Sequence, residues 1–463
     1  MTDRLPSGNQ RLDEILDGGL LKNAINLIVG VPGSGKTILS QQFAYRNASS
    51  ERPALYLSTL SEPMDHILRF GEAFTFFDAA AISSGRVIYE DIGPVLGERG
   101  LDEVVDALDG FLKKLRPSIV VIDSFRAFHA FAKDEGEFRR FLYGVTRRLA
   151  ASATTSLWNA PYSRSQAHEA AEFAVADAIV ALDIKQVGQR EMRTLQILKL
   201  RGSNFRSGQH AYRITEDGFK VFPRMAEGLN ESAYELHAER SATGIAALDE
   251  LLGEGGYWSG STTLVVGPSG TGKTLMGLHF LYRGSEIGEP GIMATFQENK
   301  SQLERIVKSF GWSIDDPNVH ILSRSVVDMN IDEWVYELLD QVEKTGARRI
   351  VIDSLPDVQA AAADPVRFRE WMFSLAQRCT RAGISLLMIV EVPDLFQLTR
   401  ISEEGISHLA DNVVLLQYVQ EGPELARALT ILKTRAMRHR PMVHRYEITD
   451  KGFELGDVIS VTR

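Results

Sequence analysis

The sequence predicts an α/β protein of two tandem domains, each a twisted, mostly parallel sheet flanked by helices. A glycine-rich loop ending in Gly-Lys-Thr occurs twice, at 30–37 and 267–274, each time between an apolar segment and a helix-like segment. Short apolar segments then continue to alternate with amphipathic segments in each half, which is typical of parallel sheets covered on both faces. The two halves also repeat one another in the same order, so one fold is predicted twice.

The first loop follows the apolar segment 25–29 and closes on Gly35, Lys36 and Thr37. Its spacing, a glycine, four residues and then Gly-Lys-Thr, is that of a phosphate-binding P-loop. Glycines let the backbone form a nest of inward N–H groups, the lysine adds a point charge, and the following helix adds its positive end. We expect a nucleoside triphosphate at both loops. The predicted nucleotide contacts are Gly33, Ser34, Gly35, Lys36, Thr37, Ile38, Ser269, Gly270, Thr271, Gly272, Lys273, Thr274 and Leu275.

Corresponding residues of the two halves keep a nearly constant separation. Lys36 and Lys273 lie 237 positions apart, and Lys199 and Lys433 lie 234 apart. One such long period indicates a tandem duplication and not a solenoid of short repeats. A polar segment without periodicity joins the halves and is the natural linker. The predicted division is a first domain at 1–226, a linker at 227–240 and a second domain at 241–463.

Strands and helices alternate within each half. In the first half the predicted strands are 55–58, 118–123, 154–158, 178–182 and 192–199, and the predicted helices are 64–74, 101–115 and 137–150. In the second half the predicted strands are 291–295, 349–353, 385–390, 413–417 and 427–433, and the predicted helices are 332–344 and 366–382. Nucleotide is expected at the carboxyl ends of the strands, where open α/β sheets bind their ligands.

An aspartate ends one apolar strand in each half, Asp123 in the first and Asp353 in the second. A lone aspartate at such a position is most often a turn or cap residue. Downstream of a P-loop in both repeats, a Walker B role is the better interpretation, in which the carboxylate holds Mg²⁺ directly or through water. The predicted metal residues are Thr37 and Asp123 at one site and Thr274 and Asp353 at the other.

Glu62 and Glu298 follow the strand after each P-loop helix. Beside a γ-phosphate, either carboxylate would polarise the attacking water as a general base. Each would equally suit the first turn of the next helix, where a negative charge complements the helix dipole. Position alone leaves these two readings open.

The composition is that of an ordinary globular protein. The formal charge of −10 argues against a protein that coats nucleic acid. Cys379 is the only cysteine, which excludes an intrachain disulfide and a cysteine metal cluster, and a buried thiol in a helix is its expected state. The N-terminus has no apolar core of a signal peptide, and no run of about 18 apolar residues is present. A cytoplasmic protein without a membrane span is therefore expected.

Four features of the chain carry a resemblance to a known family. These are the paired P-loops, the Leu-Asp-Glu-Ile/Leu-Leu segments at 12–16 and 248–252, the Glu-bearing strand ends and two Lys-x-Arg segments. In these features the chain resembles the KaiC family. Its double-domain members are RecA-like ATPases, and the likeness covers nearly the whole chain. The resemblance implies a hexameric ring of two tiers with ATP and Mg²⁺ between neighbouring subunits. It also implies that one subunit's Lys-x-Arg reaches its neighbour's phosphates, here Lys199 with Arg201 and Lys433 with Arg435, as a trans arginine finger would.

Two features depart from the family pattern. Where the family commonly has adjacent glutamates, this chain has Ser61 and Gln297 in the first place, and neither side chain accepts a proton at neutral pH. We therefore expect either slow hydrolysis in both tiers or a catalytic role in which Glu62 and Glu298 substitute for the missing glutamates. In the segment that resembles the clock protein's phosphorylation segment, Ser407 matches the acceptor serine and His408 replaces the threonine. Serine autophosphorylation stays open there, but a two-site cycle is not supported.

The function predicted from these observations is a nucleotide-state switch: a homo-oligomeric ATPase ring whose conformation a regulatory protein partner reads. Two alternatives remain. A RecA-type DNA-dependent ATPase shares the fold, although the acidic charge and the lack of a basic, aromatic-interleaved loop count against nucleic acid as a partner. A scaffold that binds ATP without hydrolysing it agrees with Ser61 and Gln297.

Overall fold

The computed structural model describes most of the chain. The described residues are 3–59, 64–162, 166, 170–187, 190–225, 237–253, 255–327, 329–362, 364–393, 409–421, 423–435 and 441–459. The chain divides into two compact units, Met1–Arg224 and Met225–Arg463. The predicted linker at 227–240 lies largely outside the described residues.

The first unit alternates strands and helices along most of its length. Its strands are β1 (Arg4–Leu5), β2 (Leu20–Leu21), β3 (Ile25–Gly30), β4 (Ala54–Ser58), β5 (Val87–Asp91), β6 (Ile119–Asp123), β7 (Thr155–Ala160), β8 (Ala178–Val187), β9 (Arg190–Leu200), β10 (His210–Thr215) and β11 (Gly218–Phe222). Its helices are α1 (Gln10–Ile15), α2 (Lys36–Asn47), α3 (Met64–Gly71), α4 (Ala79–Ser83), α5 (Gly93–Arg99), α6 (Leu101–Leu115), α7 (Glu135–Ala151) and α8 (Ala171–Val175), with a 3₁₀ helix at Phe125–Phe131.

Nine of these strands form one sheet in the order β11-β10-β9-β8-β3-β7-β6-β4-β5. The pairs from β8 to β5 are parallel, and β9, β10 and β11 extend the β8 side as antiparallel strands. A mostly parallel sheet is therefore confirmed, with an antiparallel extension. Apolar clusters cover both faces, which explains why β3 and β6 read as nearly continuous apolar segments.

Helix α6 illustrates how the sequence pattern produces this layer. Its leucines and valines recur at helical spacing, and Val104, Leu108 and Leu112 are buried against one face of the sheet. Burying each such side chain contributes about 1.5–3 kcal/mol relative to exposure. Asp102 and Glu103 lie in the first turn and Lys113 and Lys114 in the last, the distribution that complements the helix dipole.

The second unit repeats the order of the strands, with fewer helices between them among the described residues. Its strands are β12 (Arg240–Ser241), β13 (Tyr257–Trp258), β14 (Thr262–Gly267), β15 (Gly291–Thr295), β16 (Val319–Ser323), β17 (Arg349–Asp353), β18 (Ser385–Glu391), β19 (Asn412–Glu421), β20 (Glu424–Thr434), β21 (His444–Thr449) and β22 (Gly452–Val458). Its helices are α9 (Ala246–Leu251), α10 (Lys273–Glu286), α11 (Lys300–Ser309), α12 (Ile331–Thr345), α13 (Leu355–Ala362) and α14 (Pro365–Arg381). Nine of these strands form a sheet in the order β22-β21-β20-β19-β14-β18-β17-β15-β16, which matches the order of the first sheet strand for strand.

Some predicted bounds differ from the structure. The helix predicted at 64–74 ends at Gly71, because the chain turns there and packs the Phe77 ring where a side chain on Gly71 would begin. The edge strands β5 and β16 were not predicted, since much of each is only half-buried and neither reads as an apolar segment. The Cys379 thiol is buried in α14, as expected, and burial raises its pKa to about 12.

Among the described residues, none of the helices has the length and apolar character needed to cross a membrane.

Candidate functional site

Both predicted P-loops connect a buried strand to a helix, β3 to α2 and β14 to α10. Two glycines in each loop have positive φ angles of nearly identical size, 79° at Gly33 and 89° at Gly35, then 79° at Gly270 and 89° at Gly272. Only glycine adopts such angles without strain. The backbone therefore forms the same nest in both units, and a nest of N–H groups at a helix N-terminus binds anions.

A tyrosine from the antiparallel extension supports each loop from behind. The Tyr212 hydroxyl donates to the Ser34 carbonyl oxygen at 2.6 Å, and the Tyr446 hydroxyl donates to the Thr271 carbonyl oxygen at 2.5 Å. These contacts direct the loop carbonyls away from the nest. Sequence reasoning missed both tyrosines, although they lie just before the repeated Ile-Thr-x-x-Gly-Phe segments that mark the hairpins.

The same hairpins explain why glycine precedes each P-loop lysine. A Cβ atom on Gly35 would lie 2.5 Å from the Ile214 side chain, and one on Gly272 would lie 2.6 Å from the Ile448 side chain. The hairpin thus packs directly against the loop backbone, which makes glycine necessary on steric grounds as well as for its φ angle.

An arginine from the first strand of each extension, β9 or β20, also contacts the loop. Arg193 Nη1 donates to the Gly33 carbonyl oxygen at 2.6 Å, and Arg427 Nε donates to the Gly270 carbonyl oxygen at 3.3 Å. These cations add positive charge beside each nest. Neither residue was predicted, because each lies about 160 residues along the chain from the loop that it contacts.

Lys36 lies at the first position of α2 and extends back over its own loop. Its Nζ donates to the carbonyl oxygens of Gly30 at 2.9 Å and Val31 at 3.0 Å. Burial lowers the pKa of Lys36, and the charge of Asp123 partly offsets that effect.

Lys273 occupies the matching place in the second unit and is buried. Its Nζ donates to the Pro268 carbonyl oxygen at 2.8 Å and lies 3.4 Å from the Glu391 carboxylate. Each predicted P-loop lysine therefore lies over its own loop, where it would meet a bound phosphate chain.

The threonine after each lysine bonds to the predicted Walker B aspartate. Thr37 Oγ1 donates to Asp123 Oδ2, and Thr274 Oγ1 donates to Asp353 Oδ2, both at 2.6 Å. These partners are far apart in sequence and meet because the strands that carry the aspartates end beside the P-loop helices. The two predicted metal residues of each unit thus come together as a pair.

A hydroxyl and a carboxylate at a P-loop fit Mg²⁺. This ion prefers oxygen ligands and is usually held by one or two carboxylates together with substrate phosphates. The described residues contain no cluster of three or more histidine, cysteine or acidic side chains arranged as a separate metal site. Thr37 with Asp123 and Thr274 with Asp353 are therefore the residues that would hold the ion.

The carboxylates of the second site are half-buried and lie near one another. Burial and the nearby Asp353 charge raise the pKa of Glu298 to about 7, and burial is also the main cause that raises the pKa of Asp353 to about 6. Gln297 Nε2 donates to Asp357 Oδ2 at 3.0 Å, and Asp357 also accepts from the Ser354 hydroxyl. The structure thus places Glu298 near the aspartate, with Gln297 turned toward a different carboxylate.

The flanking apolar residues of the predicted nucleotide set have packing roles. Ile38 packs against the core of the first unit, and Leu275 is buried in the core of the second. Ser34 is buried, whereas Ser269 is exposed at its loop.

The predicted catalytic Glu62 and the neighbouring Ser61, as well as the predicted phosphorylation serine Ser407 and its neighbour His408, lie outside the described residues.

The Lys-x-Arg pair of the first unit lies far from its own P-loop. Arg201 Nη1 pairs with Asp177 Oδ1 at 3.1 Å, and Asp177 Oδ2 accepts from the backbone N–H of Ile25, the first residue of β3. The P-loop starts at Gly30, at the other end of β3, so strand geometry separates these points by about 16 Å. Burial, and then the Arg201 charge, lower the pKa of Lys199.

The second unit repeats this arrangement. Arg435 Nη1 pairs with Asp411 Oδ1 at 3.3 Å, Asp411 Oδ2 accepts from the Thr262 N–H at the start of β14, and Lys433 Nζ donates to a neighbouring carbonyl oxygen. Neither Lys-x-Arg pair therefore reaches the nucleotide loop of its own unit.

Comparison with known proteins agrees with this architecture. The KaiC ATPase family model matches residues 5–226 and 241–458, which is nearly the whole of both units. The circadian clock oscillator protein KaiC of Parathermosynechococcus lividus is 28% identical over 97% of this chain and 85% of its own length. KaiC 1 of Synechocystis and KaiC of Synechococcus elongatus are each 27% identical over 96% of this chain and 87% of their own length. The chain belongs to the KaiC family of ATPases and is a KaiC-like ATP-binding protein.

Proposed function

We propose that the protein binds one Mg²⁺-ATP at each P-loop and hydrolyses it slowly. The single observation that supports this most strongly is the threonine–aspartate hydrogen bond beside each glycine nest, found at 2.6 Å in both units. Backbone N–H groups and the lysine bind the phosphates, and the threonine and aspartate hold the ion. When bound, Mg²⁺ neutralises charge on the β- and γ-phosphates.

In the second site, Glu298 acts as the general base. Its carboxylate accepts a proton from water as the water oxygen bonds to the γ-phosphorus and the bond from that phosphorus to the β–γ bridging oxygen breaks. A carboxylate whose pKa is near 7 is well matched to this proton transfer. Glu62 takes the corresponding part in the first site. Turnover is slow because Ser61 and Gln297 replace the proton-accepting glutamates that the family commonly has.

Lys199 with Arg201 and Lys433 with Arg435 act on the nucleotide of a neighbouring subunit. Each pair lies at the end of its sheet opposite its own P-loop, so a contribution to catalysis requires a second copy of the chain. A hexameric ring of two tiers, in which every subunit supplies cations to the next, satisfies this requirement. Fixed guanidinium groups would then stabilise charge that develops on the transferred phosphoryl group.

The output of the ring is regulatory. Nucleotide state shifts the population of ring conformations, and a protein partner binds one of them preferentially. Ser407 is the candidate acceptor for autophosphorylation, with transfer of the γ-phosphoryl group from ATP to its hydroxyl oxygen and loss of the hydroxyl proton.

The decisive experiment measures bound nucleotide in three variants. We expect wild-type protein to retain two nucleotides per chain, Lys36→Ala and Lys273→Ala to retain one each, and Lys22→Ala to retain two. Lys22 is a suitable control because it pairs with Asp3 at the surface and precedes the start of β3, whose other end carries the first P-loop. An unchanged stoichiometry in Lys36→Ala or Lys273→Ala would refute the corresponding site.

Hydrolysis and autophosphorylation are separated by one incubation with γ-labelled ATP. Free phosphate measures hydrolysis, and label on the protein that disappears in Ser407→Ala measures autophosphorylation. Free phosphate without protein label would remove the kinase part of the proposal. Neither signal, together with intact bound ATP, would reduce the function to a ring held together by nucleotide.

A further inference from the structure

The two nucleotide sites have the same frame but differ in what surrounds the Walker B aspartate. In the first unit three side-chain donors converge on Asp123 Oδ2, whereas the second unit has apolar residues where two of those donors would lie. This difference concerns positions that the P-loop motifs do not include.

At Asp123, the Thr37 hydroxyl and the Tyr56 hydroxyl each donate to Oδ2 at 2.6 Å, and Asn159 Nδ2 donates at 3.0 Å. The Asn159 side chain is itself oriented, because its Oδ1 accepts from the Ser40 hydroxyl at 2.6 Å. Tyr56, Asn159 and Ser40 are all buried. Hydrogen bonds from three directions to one oxygen fix the rotation of the carboxylate, and bonds to a charged acceptor are stronger than neutral ones.

The tyrosine and the asparagine belong to the two strands beside the aspartate strand. In the sheet register, Tyr56 of β4 pairs with Val121, two residues before the aspartate, and Asn159 of β7 pairs with Asp123 itself. Both side chains therefore reach the carboxylate from flanking strands, and Ser40 of α2 orients the Asn159 side chain.

The second sheet places different residues at the same register positions. Met293 of β15 pairs with Val351, two residues before Asp353, and Ile389 of β18 follows Met388, the partner of Ile352. Gly277 takes the place of Ser40 on the helix, and a Cβ there would lie 2.8 Å from the Val351 side chain and 3.6 Å from that of Ile389. Three positions around the aspartate are thus exchanged together, and none of the three residues in the second unit has a side chain that can donate a hydrogen bond to it.

We propose that Tyr56 and Asn159 are positioning residues that hold Asp123 ready for Mg²⁺ at the first site. This inference rests on the proposed function, since it concerns the metal of the same site. A carboxylate that is already oriented loses less conformational freedom when the ion binds. Of the three kinds of donor at Asp123, Asp353 has only the threonine, Thr274.

The test isolates the first site in a Lys273→Ala background and uses Mn²⁺ as the probe. Mn²⁺ binding is followed by electron paramagnetic resonance in the presence of ADP, and binding of a fluorescent ADP analogue is measured separately in EDTA. For Tyr56→Phe, which removes only the hydroxyl, we expect Mn²⁺ affinity to fall about five- to tenfold. Affinity for the analogue in EDTA should change less than twofold, because the phosphate nest is untouched.

Tyr89→Phe is the matched control. The Tyr89 ring packs against that of Tyr56 with centroids 5.1 Å apart, but its hydroxyl bonds to Gln41 and Tyr45 and not to the aspartate. Its Mn²⁺ affinity should equal that of the parent. A second variant, Ser40→Gly with Asn159→Ile, copies the second site into the first and should lower Mn²⁺ affinity in the same way as Tyr56→Phe.

The outcomes distinguish this inference from the proposed function. If the Lys273→Ala parent binds neither ADP nor Mn²⁺, the nucleotide site itself is wrong. If the parent binds both and Tyr56→Phe and the Ser40/Asn159 double variant stay within twofold of it, the positioning role is refuted. If a variant lost as much affinity for the ADP analogue in EDTA as it lost for Mn²⁺, the role of the residue would be merely structural, which would also overturn the proposal.

Discussion

His279 provides a test of the packing behind the second P-loop. It lies on α10 and is buried against three aromatic rings, with centroids 4.8 Å from Trp312, 6.1 Å from Phe453 and 6.2 Å from Phe310. Its Nε2 has no hydrogen-bond partner among the described residues. Burial lowers its pKa from 6.5 to about 4, against the opposing effects of the Glu286 charge and a backbone hydrogen bond at Gly244.

The first unit suggests the substitution to make. Gln42 occupies the matching position on α2, where it accepts from the Phe219 N–H at 3.0 Å and donates to the Ser7 carbonyl oxygen at 3.2 Å. A glutamine is therefore compatible with this packing, and it does not titrate. His279→Gln removes the ionisable group and retains a side chain that the duplicated fold already uses there.

The expected magnitude follows from linkage. Well above pH 6.5 the imidazole is neutral in both the folded and the unfolded chain and has no effect on the pH dependence. Below pH 6.5 the imidazole becomes protonated in the unfolded chain, whereas in the folded chain it stays neutral down to about pH 4. The free energy of unfolding therefore decreases as the pH falls through this interval. Between pH 7.5 and pH 5 the loss is about 2 kcal/mol, and its ceiling below pH 4 is about 3.4 kcal/mol.

The assay is urea unfolding followed by tryptophan fluorescence at several pH values and fixed nucleotide. Four of the five tryptophans lie in the second unit, so the signal reports mainly on that unit. The difference in free energy of unfolding between wild type and His279→Gln should change by about 2 kcal/mol from pH 7.5 to pH 5. His66→Gln, at an exposed position, should leave the wild-type pH dependence unchanged. Parallel curves for wild type and His279→Gln would refute the reasoning.

Two further predictions concern the nucleotide sites. Gln297→Glu should raise phosphate release severalfold, because it adds a proton acceptor beside Glu298 and replaces the 3.0 Å hydrogen bond to Asp357 by repulsion between two carboxylates, which holds the new side chain away from Asp357. Unchanged release, measured in a Lys36→Ala background, would contradict the explanation for slow turnover. Arg201→Ala should lower phosphate release from the first site at least tenfold. Mixing Arg201→Ala subunits with Lys36→Ala subunits should restore part of the activity, because an intact loop of one variant then lies beside an intact arginine of the other. Arg206→Ala is the control, because Arg206 pairs with Glu14. If mixing the Arg201→Ala and Lys36→Ala subunits restored no phosphate release, action between subunits would be contradicted.

The principal features of the fold could be predicted because they depend on local patterns. The P-loop spacing, the apolar strands and the period of 237 residues between Lys36 and Lys273 are all visible in one dimension. Glycines at the positive-φ positions and an aspartate at the end of an apolar strand follow from backbone chemistry that does not depend on distant residues. Half-buried edge strands lacked such a signal and were missed.

The sequence by itself therefore determined that the chain carries two nucleotide loops on duplicated α/β units, because those features are set by spacing and periodicity. Only the tertiary structure decided what surrounds them. Tyr56 and Asn159 reach Asp123 across 67 and 36 residues, and Arg193 reaches Gly33 across 160. Such contacts depend on which strands lie side by side and in which register, and the shape and polarity of each site follow from that pairing.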